Sequence, residues 1–169
     1  AAVLVIVMLV SVLLWRDRPA LDATGWLSPP AASENPSSVT ATWLGVTTLL
    51  FDDGDTQILI DGFFSRPSVA DTILRRPVVN DAPTINFALH EYRMRRLAAI
   101  IPVHSHFDHA MDIGAIAKRT SASILGSEST ANIARGSGVP ADQIVVSDEN
   151  EVYEFGEFRV RLLPSRHAP

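Results

Sequence analysis

Residues 1–15, Ala1 to Trp15, carry no charge, and the run ends at Arg16-Asp17-Arg18. A segment that is apolar on every side predicts membrane targeting, as an anchor or signal over residues 1–16, because a surface helix keeps a polar face and an all-round apolar N-terminal run rarely serves as a buried core helix. It is shorter than the roughly 20 residues a span requires. The chain also opens on Ala1 and not on Met, so a lost N-terminal flank is expected. Trp15 beside Arg16 suits a membrane border, and no small-x-small cleavage pattern follows promptly, which favours a retained anchor. From residue 17 to residue 38 the pattern dissolves into Pro, Ala, Ser and Asn, including Pro29-Pro30. Such a stretch cannot bury enough apolar surface to offset its ordering entropy, and it reads as a linker.

Periodicity returns at Val39 and holds to the end of the chain, defining a domain over residues 39–169. Val39–Leu44 and Thr47–Phe51 read as strands, Asp52–Asp55 as a turn, and Gln57–Ile60 as a strand that delivers Asp61. Phe63–Pro67 reads as a loop, leading to a short helix near Arg75. Asp81 is placed to cap a helix with Pro83 in its first turn. That helix runs through Ile85 and Leu89 and carries His90 away from any acidic cluster, so His90 is read as no ligand. Further on come a helix from Met111 to Arg119, a strand at Ala122–Leu125, a Ser127-capped helix over Glu128–Arg135 and a strand at Ile144–Val146. Val152–Phe155 and Phe158–Leu163 flank Gly156-Glu157, which suits a type II′ hairpin. Alternating strands and helices predict an α/β layered domain with its ligand site where the strands end.

The candidate chemistry sits in one stretch, Ile100-Ile101-Pro102-Val103-His104-Ser105-His106-Phe107-Asp108-His109. An apolar strand here runs into three histidines and an aspartate. Alternate side chains of an extended segment share a face, so His104 and His106 can address one ion, and a sharp turn would bring Asp108 and His109 toward a second. The pattern resembles the HxHxDH signature of metallo-β-lactamase-fold hydrolases. Asp61 matches that family's first motif and His167, in Pro164-Ser165-Arg166-His167, its third. Ala41–Gly45 together with Ile60-Asp61-Gly62 is most similar to the branch of bacterial lactonases and N-acyl phosphatidylethanolamine phospholipase D. That branch often carries a His after Leu-Gly, where this chain has Val46.

The resemblance implies an αβ/βα four-layer sandwich, of which this chain holds the N-terminal part. It implies that His104, His106 and His167 bind one metal and Asp108 and His109 a second, with Asp61 supporting the ligands from behind. Zn²⁺, two ions per complete domain, is the expected cofactor, and Fe²⁺ or Mn²⁺ would accept the same donors. The implied chemistry is attack by a zinc-activated hydroxide on an ester, lactone or phosphodiester, with Asp108 as the catalytic carboxylate. Beside it stand an iron-dependent redox enzyme of the same fold and a metal-binding fragment without turnover. The family's bridging Asp and last His do not occur before Pro169, so a fragment with little or no activity of its own is expected. A small-molecule or lipid-like substrate is implied, and an exported bacterial location, on the periplasmic side, with a cytoplasm-facing anchor as the alternative.

Composition narrows the field. The chain has 169 residues, 47% of them hydrophobic, enough for one domain with a real core. A formal charge of -5, with its arginines scattered as pairs such as Arg75-Arg76 and Arg95-Arg96, gives no basic face for nucleic acid. With no Cys, disulfides and thiolate ligands are excluded, leaving nitrogen and oxygen donors.

Overall fold

A computed structural model describes residues 2–16, 38–74 and 76–165. The chain divides into two units, Ala1–Asn35 and Pro36–Pro169. In the first, α1 spans Ala2–Arg16, and its described side chains from Val3 to Val12 are all exposed. At 15 residues it is short, and no helix among the described residues is long and apolar enough to cross a membrane. The linker expected over residues 17–38 lies outside the described residues except for Ser38.

The second unit is organised by a six-stranded sheet whose spatial order follows the chain: β1 (Thr40–Trp43), β2 (Leu49–Asp52), β3 (Gln57–Ile60), β4 (Leu97–Ile101), β5 (Ser123–Gly126) and β6 (Ile144–Val146). The first three pair antiparallel through short turns, and β3 to β6 pair parallel. Parallel neighbours need crossovers. These carry the helices: α2 (Val69–Ile73) and α3 (Ala82–Glu91) before β4, α4 (Phe107–Ala110) and α5 (Ile113–Thr120) before β5, and α6 (Glu128–Gly136) before β6. Two of the expected caps form. Asp81 accepts from the Thr84 amide with Pro83 in the first turn, and Ser127 accepts from the Thr130 amide.

The period-2 pattern sorts each strand onto two faces. Leu50, Leu59, Ile100 and Ile124 point to one side, where they meet Ile85 of α3, Ile113 and Ile116 of α5 and Ala134 of α6. Ile58, Ala99, Ile101 and Leu125 point to the other and are covered by a hairpin of β7 (Tyr153–Phe155) and β8 (Phe158–Val160). Helices, sheet and second sheet therefore stack as layers, the α/β arrangement expected from the sequence. In the hairpin turn Gly156 has φ +58 while Glu157 is not among the positive-φ residues, in keeping with a type II′ turn.

One helix differs from expectation. The stretch read as a single helix from Met111 to Arg119 begins earlier, as the short α4, then breaks at Met111-Asp112 and restarts at Ile113. The break has a cause. Asp112 turns its carboxylate inward, where it accepts from the Phe64 and Ser65 amides (2.8 and 2.6 Å), the Ser65 hydroxyl (2.7 Å) and the Asn80 side-chain amide (2.7 Å).

Candidate metal centre

The parallel register pairs Ile60 with Ile101, so the residues that leave β3 and β4 emerge side by side. Asp61 leaves first, with φ +59 and no exposed surface. Its backbone amide donates to the Ile101 carbonyl (3.1 Å), and its Oδ1 accepts from the Val103 amide (2.9 Å). This second bond replaces the ladder partner Val103 would need to remain in the sheet. The chain accordingly bends through residues 103–106 and does not continue as the extended segment expected from the sequence.

His106 stands at the N-cap of α4 and Phe107, Asp108 and His109 form its turn. The bend and this turn gather the histidines. The His104 ring lies 4.6 Å from that of His106, edge to face, and 3.9 Å from that of His109, centroid to centroid. One donor atom each of His104, His106 and Asp108 lies within 4.8 Å of the others, and no other such group occurs among the described residues. His109 Nε2 is 3.7 Å from Asp108 Oδ2. The four side chains form one compact cluster, half-buried at His104 and Asp108, exposed at His106 and buried at His109. His167 lies outside the described residues.

Asp61 and His109 meet directly, Oδ2 to Nδ1 at 2.8 Å, with the Thr47 hydroxyl 3.2 Å from the same nitrogen. A carboxylate accepts, so the imidazole proton belongs on Nδ1 and the Nε2 lone pair faces the cluster. Carboxylates that fix the tautomer of a ligating imidazole from behind are a recurrent feature of metal sites. The donor set is chemically coherent for a divalent ion: imidazole nitrogens and a carboxylate oxygen, converging within ligand range, with one imidazole oriented by a buried acid.

Around the cluster, Gly62 binds the motif from below. Its amide donates to the His109 carbonyl (3.0 Å) and its carbonyl accepts from the Asp112 amide (3.1 Å). Phe64 enters the helix-side core, whereas Phe63, also buried, packs edge to face on Phe107 with ring centroids 5.9 Å apart. His90 is exposed on α3 and takes no part. Sequence reasoning passed over Asp112, the buried carboxylate that ties the loop after Asp61 to the end of the histidine motif. The signal available was an aspartate between two hydrophobic residues, Met111 and Ile113, where a charge is costly unless it is partnered.

The fold and the cluster together define an α/β metalloprotein whose site lies at the carboxyl ends of parallel strands. The chain belongs to the metallo-beta-lactamase superfamily, whose family model matches residues 41–168. A UPF0173 metal-dependent hydrolase of Heliobacterium modesticaldum is 32% identical over 127 residues, covering 75% of this chain and 44% of that protein. Another UPF0173 metal-dependent hydrolase, from Roseiflexus sp., is 28% identical over 131 residues, 76% of this chain and 48% of that protein. The crystal structure of the metallo-beta-lactamase SMB-1 in complex with mercaptoacetic acid shares the fold, with a TM-score of 0.50 and 19% identity over 73% of this chain and 48% of its own. The chain thus spans about half the length of the relatives it matches.

Proposed function

We propose that this chain carries the metal-binding part of a metal-dependent hydrolase that cleaves an ester, lactone or phosphodiester. The observation that supports this reading most is the convergence of His104, His106 and Asp108 on one point, with His109 turned toward it by Asp61. In this reading His104 and His106, joined by His167, hold one ion and Asp108 and His109 contribute to a second, and zinc fits the nitrogen and oxygen donors best. When bound, the metal supplies a Lewis acid and makes hydroxide available near neutral pH. The protein's own contribution is positional. Asp61 keeps the His109 lone pair aimed at the cluster, the bend at Val103 holds His104 and His106 at a fixed angle, and Asp108, partly open to solvent, accepts a hydrogen bond from the attacking nucleophile. Phe63 and Phe107 keep one flank of the site apolar.

The test uses the chain extended to the length of its relatives, with the His104→Ala and Asp108→Asn variants of that protein. Elemental analysis should find zinc in the parent and less in His104→Ala, and a panel of aryl esters, lactones and bis-aryl phosphodiesters should show turnover that both variants lose. Unchanged metal content in His104→Ala overturns the assignment. Iron with visible absorption in place of zinc would move the chemistry to redox catalysis.

A further inference from the structure

Beside Asp108 opens a cleft of about 330 Å³, within the size range of small-molecule sites. Its walls are Val46 from the β1–β2 turn, Phe63 from the loop after β3, Ile73 of α2 and Phe107 of α4, with Arg66 and Asp108 as its charged members. Four different segments thus supply apolar surface to one concavity that reaches a candidate metal ligand. Arg66 is the unusual member. Its guanidinium lies over the Phe63 ring, 4.5 Å from the centroid, and its Nη2 sits where a side chain on Gly45 would begin, 3.0 Å from that position. Glycine at 45, with φ +98, leaves that space open. The planar head therefore rests on an aromatic face beside a glycine that leaves it room, yet among the described residues Arg66 makes no ion pair with a carboxylate.

A guanidinium offers its donors in a fork that matches an oxyanion, and stacking restricts the freedom it would otherwise lose on binding. The protein's formal charge is -5, so an anion is drawn to this cleft by a local feature and not by the overall field. We propose that the cleft binds the non-reacting part of the substrate, and that this part is an apolar aromatic or acyl group bearing an oxyanion (carboxylate, sulfonate or phosphate) that pairs with Arg66. The substrate is then an amphipathic small-molecule anion. This rests on the hydrolase reading for which bond is cleaved, but the binding itself does not require turnover.

The experiment titrates the chain with two probes of nearly equal shape, naphthalene-2-sulfonate and its neutral counterpart 2-(methylsulfonyl)naphthalene, following ligand resonances by NMR. The sulfonate should bind about three- to tenfold more tightly, the range expected for one charge-assisted pair near the surface. Arg66→Ala should abolish the preference while leaving the sulfone's affinity within about twofold, and Arg66→Lys should restore part of it. Phe107→Ala, at an exposed position, should weaken both probes alike. Equal affinities in the parent, a preference that survives Arg66→Ala, or no binding of either probe at millimolar concentration would overturn the proposal. The hydrolase reading fails separately: a protein extended to the length of the relatives that hydrolyses nothing in the ester and lactone panel, beside a chain that still discriminates the probes, sinks that reading and leaves the cleft assignment standing.

Discussion

Replacing Asp61 by Asn isolates one proton. Asp61 sits at φ +59, a left-handed conformation that asparagine tolerates better than other substituted residues, so the backbone need not move. The two side chains are nearly isosteric, and the amide oxygen can still accept from the Val103 amide at the place now held by Oδ1. What remains is an NH₂ group facing His109 Nδ1 where a carboxylate oxygen stands at 2.8 Å. An amide NH₂ donates, so Nδ1 must become the acceptor and the ring proton moves to Nε2, removing the lone pair that faces the cluster. Loss of such an orienting partner lowers metal affinity by about 10- to 100-fold, equivalent to about 1.4–2.7 kcal/mol. Competition titration of zinc against a chromophoric chelator measures the first quantity, and the ¹⁵N shifts of the His109 imidazole report the tautomer directly. Thermal stability without metal should fall by only about 1 kcal/mol, since one charged hydrogen bond is exchanged for a neutral one. Zinc affinity within about twofold of the parent, together with a ring still protonated on Nδ1, would refute the reasoning.

Three other outcomes follow from the same geometry. Asp112→Ala strands four buried or half-buried donors and should cost about 3–5 kcal/mol, lowering the melting temperature by about 10 °C or more, whereas Asp112→Asn should recover part of this with one oxygen instead of two. Asp52, at the end of β2, bonds Gln57 of β3 and Arg96 just before β4: burial opposes its charge and is the largest single influence, but the Gly54 amide, the Gln57 side-chain amide and Arg96 together outweigh it and hold its carboxyl below the usual range. Its contribution to stability is therefore full above the unfolded carboxylate value of about 3.9 and is lost as pH falls through the lower folded value, so Asp52→Asn should flatten the acid limb of the stability curve measured by urea unfolding. Co-sedimentation with lipid vesicles should depend on residues 1–16; binding unchanged by their deletion would remove any membrane role for α1.

What could be read in the sequence was the chemistry that acts over a few residues. Asp81 three positions before Thr84, Ser127 three before Thr130, and Gly156 at the head of a two-residue turn are each completed by a partner nearby in the chain, and each forms as expected. β3 and β6 carry their apolar residues in runs bounded by breakers, and the expected ends of both strands match the structure. Strand ends such as that of β8, which stops at Val160 and not at Leu163, were misplaced by a few residues, and the two larger misreadings share one physical origin, a carboxylate whose partners are far away in sequence. Asp112 looked like an interior residue of a helix because its four donors, on Phe64, Ser65 and Asn80, lie 32 to 48 positions earlier. Residues 104–106 looked extended because the acceptor that bends the chain at Val103 is Asp61, 42 positions away.

Both long-range bonds become predictable once a single fact is added, the parallel pairing of β3 with β4. The register Ile60 to Ile101 puts Asp61 opposite Pro102, which has no amide hydrogen to offer, so the Asp61 carboxylate accepts from the next amide, that of Val103. Its second oxygen reaches His109, which the turn of α4 carries back toward the end of β3. Next to Asp61, Gly62 lies against α5, where a Cβ would come within 3.0 Å of Ile116 and 3.3 Å of Ile113, and its amide and carbonyl bond to His109 and Asp112. The histidine motif supplies the donors, but their convergence is a property of the strand pair, so a substitution that slips β3 against β4 by one residue should disperse the cluster without altering any residue in it.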